Sequence, residues 1–246
     1  MKSCQLVLAL GMFALPGLLK AASDPVVPGI TEPFLDVTLS APVAGTVSQR
    51  RFVEGDWVKQ DQVIVELDKK LEELNVTRRK LVMDTLKTDL EGTRHLFQTT
   101  KSVSKDDLDK KELEYQVAVV DYETALEQLR KRQIVAPMDG QITDIFPEVG
   151  EDCRPQEPVV RLVETRKAYL ICNLEARIGH ALKVGQTVPV EAEAGDASVS
   201  FNGRITYISP VVDPASGLLK IKVLLDNSDN KIRPGVAGKL RLRSTP

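Results

Sequence analysis

Two stretches of the chain alternate apolar and polar positions in the same way. The first runs Ala41-Pro42-Val43-Ala44-Gly45-Thr46-Val47, reaches Gly55-Asp56-Trp57-Val58 and closes with Val63-Ile64-Val65-Glu66-Leu67. The second runs Ala136-Pro137-Met138-Asp139-Gly140-Gln141-Ile142, then Gly150-Glu151-Asp152-Cys153, and closes with Val159-Val160-Arg161-Leu162. An offset of 95 residues superposes Ala41 on Ala136, Pro42 on Pro137, Gly45 on Gly140, Gly55 on Gly150 and Leu67 on Leu162 without a gap. Short alternating runs broken by Gly and Pro read as strand-turn-strand. One copy offers too little apolar surface to be stable alone. The two are therefore predicted to close on each other as one β-sandwich, with Gly45, Gly55, Gly140 and Gly150 at its turns.

Between the copies the period changes. Gly92 is the only glycine between Gly55 and Gly140, and Lys, Glu, Leu, Asp and Arg dominate, a composition of long helices. On the second arm Leu108, Tyr115, Val119, Tyr122, Leu126 and Leu129 follow a coiled-coil spacing. On the first arm Leu71, Leu74 and Leu81 make one stripe, and Val82, Leu86 and Leu90 continue on a shifted one. The polar stretch Gln98 to Ser104 separates the arms, and Ser104 followed by Asp107 fits an N-cap, so the second helix should start near Lys105. Two antiparallel helices of about 30 residues would reach roughly 45 Å. Glu112, Glu114, Glu123, Glu127, Lys110, Lys111 and Arg130 are expected on the outer faces of this stalk.

After the second copy, strands are expected at 168–174, 187–192, 201–208, 218–225 and 239–243. Turn signals such as Val184-Gly185-Gln186 and Asp213-Pro214-Ala215-Ser216-Gly217 lie between them. The expected class is α+β multidomain: a split β-sandwich (37–67 and 136–164), an inserted antiparallel helical hairpin (68–135) and a small C-terminal β-barrel (165–246). A charged start at Lys2 and the apolar run Leu6 to Leu19 read as an export signal over 1–22, either cleaved or kept as an anchor. The Pro-rich segment 23–36 reads as an extended linker.

Composition narrows the function. The net charge is −2, which gives no basic footprint for nucleic acid, and aromatics are only 4%. His95 and His180 stand alone, the three cysteines include no C-x-x-C, and neither a Ser-His-Asp order nor a phosphate-cradling glycine loop occurs. No metal, cofactor or catalytic residue is expected. Cys153 and Cys172 either pair in an oxidising compartment or, for Cys172, fill a core position. Trp57 reads as a cover for a small core or as a partner contact.

The Ala-Pro-x-x-Gly repeat with its later Gly-Asp/Glu resembles the lipoyl/biotinyl domain cut in half. Halves flanking a helical hairpin, followed by Phe201-Asn202-Gly203-Arg204-Ile205-Thr206-Tyr207-Ile208-Ser209-Pro210 and by Leu225-Asp226-Asn227 through Arg233-Pro234-Gly235, resemble the periplasmic adaptor (membrane fusion) proteins, HlyD-like. The resemblance spans about Val37 to Arg243. It implies a non-enzymatic coupler in the periplasm, associated with the inner membrane. Its partners would be an inner-membrane transporter of RND or ABC type and an outer-membrane TolC-like channel, within a homo-oligomeric ring. The hairpin tip would dock on the channel. The family's tip carries a spaced Arg, Leu and Ser; here Ser104 takes the serine position after Val103. The leucine position falls on or near Phe97, and Arg94 stands closer to it than the pattern asks. Longer relatives continue into a membrane-proximal domain, for which only Ser244-Thr245-Pro246 remain here. The alternative is a lipoyl or biotinyl carrier modified at Lys69 or Lys70, which would need that lysine on an exposed two-residue turn.

Overall fold

The computed structural model describes residues 25–195 and 197–242; the export signal expected over 1–22 lies outside them. In chain order the elements are β1 (Val26–Ser40), β2 (Gly45–Arg50), β3 (Trp57–Val58), β4 (Val63–Leu67), α1 (Lys70–Thr99), α2 (Lys105–Arg130), β5 (Gln133–Val135), β6 (Gly140–Ile145), β7 (Asp152–Cys153), β8 (Pro158–Glu175), α3 (Ala176–Gly179), β9 (Thr187–Ala194), β10 (Ala197–Ile208), β11 (Leu218–Asp226) and β12 (Ala237–Arg241).

The two sequence copies interlock. Strand β2 pairs with β7 and β3 pairs with β6, so each copy supplies a short strand to the other. The Val47 N–H donates to the Glu151 carbonyl and the Ile142 N–H to the Asp56 carbonyl; Gly55 donates to Ile142, and Gly150 to Val47. Ala41 donates to Glu157 and Ala136 to Gln62. Each bond maps onto its mate under the same 95-residue offset. Backbone conformation repeats as well: Gly55 and Gly150 both have φ 94°, and Asp61 and Gln156 have φ 65° and 68°. Val47, Val58, Ile64 and Leu67 meet Ile142, Cys153, Val159 and Leu162 in a shared core. Fully burying each such side chain contributes about 2 kcal/mol, which neither copy could obtain alone.

The second core lies in a closed six-stranded barrel, ordered β1-β12-β9-β10-β11-β8 with β1 returning to pair with β8. Leu170, Val190, Ile205, Ile221, Val223, Leu225 and Leu240 fill it. Here the chain departs from the sequence reading. Of the segment expected as a linker, residues 26–36 belong to β1, and 26–33 complete the barrel. Its prolines are tolerated because Pro28 pairs only toward β12 and Pro33 only toward β8, so neither is needed as a donor on both sides.

Strands β1 and β8 run through both bodies as one antiparallel ribbon, from Gly29↔Cys172 in the barrel to Ser40↔Pro158 in the sandwich. Cys153 is buried in the sandwich core and Cys172 in the barrel core, both as free thiols. Burial pushes the Cys172 thiol up to about 12.

Helices α1 and α2 lie side by side and antiparallel, linked by Arg79–Asp121 at 2.6 Å and Arg94–Glu112 at 3.7 Å. The inward positions of α1 are Val76, Arg79, Met83, Leu86, Leu90, Thr93 and Phe97, and those of α2 are Leu108, Tyr115, Ala118, Tyr122, Ala125 and Leu129. Both follow alternating steps of three and four (with one of seven from Leu108 to Tyr115), the spacing of a seam between two helices. The stripe read for α1 is corrected: Leu71, Leu74 and Leu81 are 77%, 55% and 63% exposed, and Val82 is exposed beside them. Leu86 and Leu90 alone of those residues face the partner helix. Ala118 and Ala125 are the buried residues of α2, because the small side chain lets the backbones approach.

Candidate functional site

The place where the helices leave the sandwich is tied down from both arms. Glu66 is buried at the end of β4 and accepts from Arg51 Nε at 2.7 Å and from Lys69 Nζ at 2.8 Å. The hydrogen bond from Lys69, reinforced by Arg51 against the opposing effect of burial, holds the Glu66 carboxyl below its ordinary value. Asp68 N–H donates to the Thr46 carbonyl, and Leu67 N–H to the Arg132 carbonyl beyond α2. Arg132 in turn reaches Glu72 of α1 at 2.6 Å and the Ala44 carbonyl at 2.9 Å. A Cβ at Gly45 would stand 2.7 Å from Arg132 Nη1, the mobile end of that side chain. Its mate Gly140 lets β8 approach, since a Cβ there would be 2.8 Å from the Val163 carbonyl oxygen. Gly55 and Gly150 have open space around them and are required for their left-handed φ.

Lys69 therefore does not stand on a two-residue turn. It is the N-cap of α1, half-buried, with its ammonium on Glu66. Lys70 is the first residue of the same helix.

At the far end, α1 stops when Thr100 bonds back to the Leu96 carbonyl through both its N–H and its hydroxyl. Lys101 then adopts φ 51°, a left-handed conformation that costs a non-glycine residue roughly 1 kcal/mol. Thr100 and Ser102 hydroxyls meet at 2.6 Å. Ser104 caps α2: its Oγ accepts from Asp107 N–H at 3.1 Å and donates to the Asp107 carboxylate at 2.7 Å. Such a cap is worth about 1 kcal/mol.

The four tip residues singled out from sequence fall into two groups. Phe97 and Val103 are half-buried on either side of the turn, and Ser104 is exposed while serving as the cap. Arg94 lies a turn below, facing Glu112 across the helix pair, and does not join them. The hydroxyl pair and the strained Lys101 have no sequence signal beyond the run of Thr and Ser in 99–104. Among the described residues no group of three or more His, Cys, Asp or Glu is arranged to hold a metal ion. No described helix is long and apolar enough to cross a membrane.

Known proteins share this arrangement. Residues 36–159 match the family model described as RND MFP, barrel-sandwich hybrid domain, and residues 173–246 match the CusB-like β-barrel domain. An uncharacterised protein of Haemophilus influenzae is 28% identical over 87% of this chain and 56% of its own length. The solvent efflux pump periplasmic linker SrpA of Pseudomonas putida is 23% identical over 85% of this chain and 58% of its own. The chain thus spans somewhat over half the length of these two relatives. A MacA–MexA chimera containing the Pseudomonas aeruginosa MexA α-hairpin domain superposes with TM-score 0.76 at 16% identity, covering 90% of this chain and 81% of the chimera, a likeness of fold.

Proposed function

This chain belongs to the membrane fusion proteins, the periplasmic adaptors, and on that footing we propose that it bridges an inner-membrane transporter and an outer-membrane channel in an efflux assembly. The family is non-enzymatic, and the proposed work is mechanical. The observation that carries the reading is the helix pair: about 45 Å of α1 rising from a base stitched by Glu66, Lys69, Glu72 and Arg132. A rod held at its base on both arms transmits position; a loosely hinged one does not.

The tip, with Phe97, Val103 and Ser104 around a polar turn, is the proposed channel contact. A turn whose hydroxyls are already organised meets another helical surface with little further ordering. Arg94 supports that turn from below through Glu112. The proposed domain plan is two sandwich halves around the rod, with β1 contributing to both sandwich and barrel. Ring assembly is part of the same proposal. The outward Leu71, Leu74 and Leu81 of α1 and Leu113, Val117 and Val120 of α2 leave apolar side chains on faces the pair itself does not cover. Arg78 and Lys80 of α1, exposed on either side of the inward Arg79, and the acid-rich α2 are suited to neighbours of opposite charge.

The carrier alternative has no support: Lys69 is engaged by Glu66, and both lysines sit at a helix start. The bridging reading is tested by Ser104→Arg, compared with Ser104→Ala, in a cell whose export depends on this adaptor. Ser104→Arg should abolish export while the purified protein keeps its circular dichroism and melts no lower than Ser104→Ala, which loses the same cap. Ser104→Ala should lose only the cap, and full export by the arginine variant would sink tip docking.

A further inference from the structure

Trp57 has no counterpart in the repeat, where Asp152 stands in its place. Its ring is not a lid on the sandwich core; the guanidinium of Arg166 lies over it, 4.4 Å from the centroid. Arg166 belongs to the ribbon joining the two bodies, at its most irregular point. Between the pairs Leu35↔Glu164 and Pro33↔Ala168, strand β8 carries three residues, 165–167, where β1 carries Phe34 alone. A bulge of that size interrupts the ladder and is the natural place for the ribbon to bend.

The backbone of this bulge is held by the barrel. Buried Asn227 donates its N–H to the Arg166 carbonyl at 2.8 Å and its amide to the Thr165 carbonyl at 2.8 Å and the Ile232 carbonyl at 2.9 Å. The side chain of the same arginine is held by the sandwich. Besides Trp57 it meets Glu164 at 2.7 Å and Asp139 at 3.7 Å. One residue thus has its carbonyl bound to the barrel and its charge on the sandwich, while its own N–H donates to Glu164 Oε1 at 2.8 Å. Elsewhere at the waist the bodies stand apart around a groove of about 790 Å³. The sandwich contributes Gln141 and Val163 to it, and the barrel Asn230 and Ile232. Gln141 is the ladder partner of Trp57, so the stacked pair stands at the rim of this groove.

We propose that Arg166 and Trp57 form a latch that fixes the angle between barrel and sandwich, and that releasing it frees the barrel to turn about the β1/β8 ribbon. A guanidinium stacked on an indole and paired with carboxylates resists rotation by geometry as well as by charge. Because the latch sits on the ribbon between sandwich and barrel, and none of its residues belongs to the rod or its base, it governs how the barrel is presented, independently of tip docking.

Trp57 is the chain's one tryptophan, so intrinsic fluorescence reports the contact directly. In the full chain, Arg166→Met should raise acrylamide quenching of Trp57 about twofold, as an uncovered indole requires. Spin labels at Gln49→Cys in the sandwich and Ser200→Cys in the barrel, with Cys4 replaced by serine, read the inter-body distance. The buried Cys153 and Cys172 are poor targets for the label. The parent should give one narrow distribution; Arg166→Met and Trp57→Leu should each broaden it while thermal melting stays close to the parent's. Unchanged quenching in Arg166→Met, or unchanged distances in both variants, would overturn the latch. Arg166→Lys keeps the charge and loses the planar stack, and is expected to remain broadened. A fully restored narrow distribution would assign the restraint to the carboxylates and remove Trp57 from it.

Discussion

Glu66 closes the first half of the sandwich, and Arg161 stands at the equivalent place in the second, yet they do opposite things. Glu66 is buried and gathers Arg51 and Lys69 around it, turning the chain into a helix. Arg161 is exposed and reaches sideways to Asp36 at 2.7 Å and 3.0 Å, and β8 continues past it as a strand into the barrel. The backbone around them is nonetheless the same, down to the paired left-handed positions at 55 and 150 and at 61 and 156. The comparison separates two kinds of constraint. Hydrogen bonds and turn conformations repeat because both halves must close one core. The charges at 66 and 161 do not repeat, because they address whatever the chain enters next, whereas Asp56 and Glu151 do, each capping its own turn by accepting from the N–H of Val53 and of Glu148.

The largest effects should come from what the halves share. Ile142→Ala should lower stability by about 3 kcal/mol, and its mate Val47→Ala somewhat less, both read by chemical denaturation. A near-silent result at either position would break the shared-core half of the comparison.

Glu66→Gln should cost about 1–2 kcal/mol at neutral pH, discounted for the exposure of Arg51 and Lys69. The folded carboxyl is held below its ordinary value of 4.5, so its stabilisation is complete above that value. It is lost as pH falls through the lower folded value. The gap between parent and variant should therefore close on the acid side of 4.5 and stay constant above it. A gap independent of pH would mean that the amide perturbs packing and that the charge contributes nothing.

Gly55→Ala and Gly150→Ala force a side chain into a left-handed turn and should each cost about 1 kcal/mol. Equal losses would sharpen the repeat; a large inequality would show that the two turns are under different strain. The smallest effect is expected from Arg161→Ala, below about 0.5 kcal/mol, since its ion pair is solvent-exposed. Arg161 matching Glu66 in size would erase the distinction between the two positions.

Much of this architecture is legible in the sequence. The 95-residue offset names the paired turns, and Ser104 with Asp107 puts the start of α2 near Lys105, where the helix begins. The α1 seam was not readable. Leu71, Leu74 and Leu81 are the more apolar stripe, but Arg79 and Thr93 lie in the face that meets α2, with Arg79 paired to Asp121. Which stripe turns inward depends on where the sandwich launches the helix. The start of β1 was missed for a related reason: prolines argue against a strand until it is known that each lies beside one paired neighbour only.

The amino-acid order alone determined what is local or repeated: turn glycines, caps, alternation, and the interruption of one β unit by two helices. Each of these is set by the φ/ψ demands of a few adjacent residues, so a short stretch of letters carries it. Tertiary structure decided the inward face of α1, the sharing of β1 and β8 between two bodies, and the meeting of Arg166 with Trp57. Those depend on residues scores of positions apart being brought within a few ångströms, and nothing in local preference sets that distance.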